Sequence, residues 1–135
     1  MQRSIAYHVR IQASFDDAVD AVIAALKQEG FGVLTQIDVK STLKEKLGED
    51  FKPYKIIGAC NPPLAHRALM TDPAVGVMLP CNVTVEEAVG EILVSLANPE
   101  GMLTVGDLGA NPAMQEIALE ANDRIKQVVV HLEEL

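Results

Sequence analysis

Tryptophan is absent from this chain of 135 residues, and tyrosine and phenylalanine together contribute only five rings. Basic residues are also scarce, 11 against 19 acidic ones, which leaves a net charge of −8. Nucleic-acid binding needs a cationic footprint for phosphate and stacking platforms for single strands. Neither is supplied, so no nucleic-acid partner is expected, and the same charge opposes an anionic membrane surface. No apolar run approaches the roughly 18 residues of a membrane span. The opening MQRSIAYHVRIQA alternates polar residues and lacks the apolar core of a signal peptide, so a cytoplasmic location is expected.

Catalytic signatures are missing too. The chain has no Gly-x-Ser-x-Gly, no His-Glu-x-x-His, no phosphate-cradling glycine loop and no dinucleotide fingerprint. Glu86 and Glu87, adjacent on a strand, face opposite sides and form no acid–base pair. Cysteine occurs twice and never as Cys-x-x-Cys.

What remains is the pattern of one α+β domain over residues 1–135, with one core and no linker or repeat. Ile5, Tyr7, Val9 and Ile11 alternate with Ala6, His8, Arg10 and Gln12 as a half-buried strand. Ser14, followed by Asp17 three residues later, opens a helix that Gly30 ends, and Phe31 to Ile37 resumes as a strand. A short helix starts at Asp38 or Ser41 and stops at Gly48. Lys40, Lys44, Lys46, Lys52 and Lys55 fall here, read first as a solvated charged face and second as an anion-binding patch.

Lys55 to Cys60 then reads as a strand, and Asn61-Pro62-Pro63 as the capped start of a helix, since proline at the first helical position sacrifices no intrahelical hydrogen bond. Asp72-Pro73 stops that helix. Val75, Val77 and Leu79 alternate and predict a further strand ending at Cys81. Residues 83–97 fit a hairpin turning at Gly90 better than a helix, in whose interior glycine costs about 1 kcal/mol relative to alanine. Asn98-Pro99 opens a single helical turn. Asn111-Pro112 begins the longest helix, whose stripe of Ile117, Ala118, Ala121, Ile125, Val128 and Leu132 must be covered by the sheet or by a second subunit. The expectation is one mixed or mainly antiparallel sheet of about six strands with helices on one face and a long C-terminal helix, which is expected to take part in a subunit contact.

Specific residues add to this pattern. Gly58 to Ala65 reads G-A-C-N-P-P-L-A, Leu79 to Val83 reads L-P-C-N-V, and Glu29 to Val39 reads E-G-F-G-V-L-T-Q-I-D-V. With Asp72-Pro73, Gly76 and Asn98-Pro99, these resemble the domain of unknown function 302 family over roughly Ala13 to Leu103. The resemblance implies a small α+β domain that pairs as a homodimer. It implies no activity.

The candidate site is therefore Cys60, Asn61, Pro62, His66, Cys81 and Asn82. One reading makes the two thiols, with His66, a redox pair or soft ligands for an ion such as zinc; no metal is assigned and no cofactor is named. A helix N-terminus lowers a thiol pKa, but it contributes about 0.3–1 kcal/mol against about 1.36 kcal/mol per pKa unit. The helix end alone thus shifts a thiol by less than about one unit, and an activated thiolate needs a cation besides. The other reading is a non-catalytic homodimeric module in which Asn61 caps, Pro62-Pro63 stiffen, and the loop with Cys81-Asn82 forms a small-ligand or protein-binding pocket, or in which the cysteines are merely buried and structural. Whether the thiols meet depends on strand direction: two parallel strands each ending in Cys-Asn bring them together, and antiparallel ones separate them.

Overall fold

The computed structural model describes residues 4–135. The first three residues of the opening stretch lie outside the described residues. Among the described residues five strands form one antiparallel sheet: β1 (Ala6–Ile11), β2 (Gly32–Asp38), β3 (Tyr54–Cys60), β4 (Cys81–Ala88) and β5 (Glu91–Ala97), in the spatial order β1-β5-β4-β3-β2. Helices α1 (Phe15–Gln28) and α5 (Pro112–Glu133) share one face of it, α2 (Val39–Leu47) follows β2, and α3 (Pro62–Thr71) and the single turn α4 (Pro99–Met102) pack on α5.

Local chemistry sets these boundaries. The Ser14 side chain accepts the Asp17 amide to start α1, and the Asp38 carboxylate accepts that of Ser41 to start α2. Gly48 ends α2 and Gly90 turns the β4–β5 hairpin, both at positive φ. One device recurs four times: Asn61, Asp72, Asn98 and Asn111 each cap a helical segment that opens on proline, their side-chain oxygens accepting the amides of Leu64, Ala74, Glu100 and Ala113. α3, α4, α5 and a 3-10 helix over Pro73–Met78 all start this way.

That 3-10 helix corrects the sequence-based expectation of a strand through Val75–Leu79, and it reduces about six strands to five. Val75 is fully buried while Val77 is 86% exposed, so the apparent alternation serves a tight helical turn between Asp72 and Pro80. Cys81 consequently opens a strand instead of closing one. Ile5, 82% exposed, stands before β1 and is not part of its buried alternation.

Two cores result. The larger lies between the sheet (Val9, Ile11, Ile57, Val83, Val85, Val94, Leu96) and the stripes of α1 (Val19, Val22, Leu26) and α5 (Ile125, Val128, Leu132). The smaller gathers Ala68 of α3, Val75, Leu103, Leu108 and the first half of α5, namely Met114, Ile117, Ala118 and Ala121. The apolar stripe of α5 is thus covered by its own chain. Tyr7 Oη donates to Asn122 Oδ1 at 2.6 Å and ties β1 to the middle of α5, where Asn122 is 3% exposed.

Candidate functional site

The end of β3 and the start of β4 lie side by side, with Ala59 opposite Cys81 and Gly58 opposite Asn82. Antiparallel strands would separate two cysteines that each ended a strand. Here one ends β3 and the other begins β4, and that places both at the same end of the sheet.

A cavity of about 310 Å³ opens at this end, between the two cores. From the larger core it takes Phe31 and Ala59, and from the smaller Ala68, Leu103 and Ala121. Leu34, Leu64, Leu69, Leu79 and Pro80 complete an almost wholly apolar wall, together with Cys60, Asn61 and Cys81. The space exists because residues facing it are small: Ala59, Ala65, Ala68, Ala121, Gly76 and the two cysteines leave volume that leucine at those places would fill. A concave apolar space of this size with few polar groups is the form of a small-molecule site.

Two close approaches hold the walls. A Cβ on Gly58 would meet Thr35 Oγ1 and come within 2.8 Å of Pro80 Cγ, so β2 and the Leu79–Pro80 segment, whose peptide bond is cis, press on a strand position that must lack a side chain. Asn61 does more than cap. Its Oδ1 accepts the Leu64 amide at 3.3 Å while its Nδ2 donates to the Glu29 carbonyl at 3.3 Å. It thereby clamps the end of α1 to the start of α3. Gly30 fits beneath the clamp with φ +83, where an added Cβ would lie 3.0 Å from Asn61 Nδ2.

Cys60 and Cys81 are both free and half-buried. Burial, and secondarily the charge of Cys60, pushes the Cys81 thiol from 9.0 up to about 11, so Cys81 holds its proton at neutral pH. His66 does not line the cavity; it borders a separate shallow groove with Arg67, Met70, Thr71, Ala113, Glu116 and Ile117. Pro62 is the first residue of α3 and Asn82 is an exposed residue of β4. The cavity therefore joins Cys60, Asn61 and Cys81 of the expected set, and leaves Pro62, His66 and Asn82 outside its lining. Among the described residues no group of three or more His, Cys, Asp or Glu gathers as a metal site.

Four of the five lysines of the second reading are engaged. Lys44 pairs with Asp50 at 3.0 Å and Lys52 with Glu86 at 2.7 Å, while Lys40 donates to the Phe51 carbonyl and Lys55 to Gln36 Oε1. Sequence reasoning missed the α3–α5 side of the cavity altogether. Ala68, Leu103 and Ala121 are distant in sequence, and their small or apolar character reads as ordinary core.

Comparison with known proteins agrees with this architecture. The model of the family described as "Domain of unknown function DUF302" matches residues 7–132. A crystal structure of an uncharacterized conserved DUF302 protein from Bacillus stearothermophilus superposes with a TM-score of 0.85 at 31% identity, covering 96% of this chain and 99% of that one. No curated protein matches.

Proposed function

We propose, for a chain that belongs to the domain of unknown function 302 family and so takes no activity from its family's name, that it binds a small apolar molecule in the cavity between β3, β4 and α3. The observation that carries this reading is the cavity itself, about 310 Å³ and lined by small and apolar side chains at the seam of two cores. Asn61 holds one of its walls, and Cys60 and Cys81 supply polarizable surface. Binding is favoured over thiol catalysis because Cys81 resists ionisation, and a thiol is a poor nucleophile in its protonated form.

Octan-1-ol tests this. At about ten times its Kd, a ligand specific for the folded state adds about 1.4 kcal/mol, which raises the melting temperature of a chain this size by roughly 3–6 °C. Gly76→Leu adds a large side chain to the cavity lining, where the first added atom makes only an ordinary contact with Leu69 Cδ2 at 3.7 Å, and the variant, its cooperative unfolding checked in urea, is expected to lose the shift. No shift in the native protein, or an equal one in Gly76→Leu, overturns the reading.

A second reading is supported by the two thiols lining one cavity: thiol–disulfide exchange, in which an external disulfide is reduced to two thiols as Cys60 and Cys81 join, and the reverse restores them. We also take two copies of the chain to pair in the cytoplasm. The edge strand β2 supports pairing, since it leaves Leu34 65% and Ile37 46% exposed beside an open ladder. Two free cysteines suit a reducing compartment.

A further inference from the structure

The apolar cavity shares a wall with a polar cleft. Asn61 and Leu64 line both, and on the far side stand Glu29, Arg67, Glu120 and Arg124. These four charges are unequally held. Arg67 Nη2 lies 2.6 Å from Glu120 Oε2, a close pair. Arg124 Nη1 lies 3.8 Å from Glu29 Oε1, while the other oxygen of Glu29 is 3.1 Å from His131 Nε2. The Arg124 side chain is 58% exposed, and no hydrogen bond fixes its fork on Glu29 at that separation.

A guanidinium offers paired donors that match a carboxylate in two parallel hydrogen bonds. Arg124 has that capacity to spare, beside an apolar cavity that contains no charged side chain. The cleft also limits how much negative charge it accepts. Its two carboxylates already balance its two guanidiniums, so any added anion meets Glu29 and Glu120 as like charges, and a monoanion on the loosely held Arg124 meets less of this repulsion than a dianion such as a phosphate monoester.

From this juxtaposition we infer that the ligand is an amphipathic monocarboxylate, its apolar tail in the cavity and its carboxylate reaching over the border at Asn61 and Leu64 to Arg124. This rests on the reading of the cavity as a binding site and names the ligand's chemical class. Arg124 acts as the head-group contact. Asn61 spends its two hydrogen bonds on the clamp and is not assigned to the head group.

The experiment is calorimetric titration of the full chain at pH 7 with octanoate and with octan-1-ol, for the native protein, Arg124→Gln and Arg124→Lys. A charge-assisted hydrogen bond predicts that Arg124→Gln weakens octanoate about tenfold or more and changes octan-1-ol by less than about twofold, with Arg124→Lys recovering part of the loss. Octanoate binding that is indifferent to Arg124→Gln, or an equal loss of both ligands in Arg124→Gln and Arg124→Lys, overturns the head-group assignment while the cavity reading stands on octan-1-ol. Native protein that binds neither compound overturns both.

Discussion

At the scale of single residues, the thiols decide between binding and chemistry. A raised pKa means that folding favours the protonated Cys81. In the unfolded chain the thiol ionises near 9, and in the folded protein only near 11, so its contribution to stability is complete below about pH 9 and falls as pH rises from there to about 11. In a Cys60→Ser variant, which removes only the lesser cause, iodoacetamide labelling of Cys81 followed by intact mass should have its midpoint in native protein below about pH 11 but clearly above the midpoint near 9 in urea. A common midpoint under both conditions would show that burial does not restrain this thiol. The sequence made both cysteines visible, and Asn61 as a cap. It did not show the second hydrogen bond of Asn61, to the Glu29 carbonyl, because that contact depends on where α1 ends relative to β3, 32 positions away.

At the scale of elements, most of the boundaries were legible because they rest on local chemistry: Ser14, Asp38, Asn61, Asn98 and Asn111 cap as their types demand. The hairpin at Gly90 followed from the cost of glycine within a helix. The stretch Val75–Leu79 was misread because five residues between two prolines hold too little periodicity to separate a 3-10 turn from a strand. The Asp72-Pro73 pair, of the same kind as the Asn-Pro starts, was the signal that favoured a helical turn. Between elements, the bond from Tyr7 to Asn122 joins a sheet edge to the middle of α5. Tyr7→Phe leaves the Asn122 oxygen without that donor in a buried setting and should cost about 1–3 kcal/mol, measured by urea unfolding. A loss below about 0.5 kcal/mol would mean that water or rearrangement replaces the hydroxyl.

At the scale of the whole molecule, the two cores and the cavity between them could not be read from the chain, because they arise from how α3 and α5 meet the end of the sheet. The expected α+β class, the antiparallel sheet and the long final helix are all present. What sequence could not say is that this helix serves both cores. Ile125, Val128 and Leu132 belong to one, and Met114, Ile117, Ala118 and Ala121 to the other. Neither core can open completely while the middle of α5 stays in place, and neither survives its departure. Backbone amides around residues 118–125 should therefore exchange with deuterium only through global unfolding, with protection equal to the full unfolding free energy. The amides of α2, which has no buried residue, should exchange through local opening far sooner. If mid-helix amides in α5 exchange faster than the urea-derived stability allows, the two cores open independently; if they match it, α5 makes the whole chain a single cooperative unit.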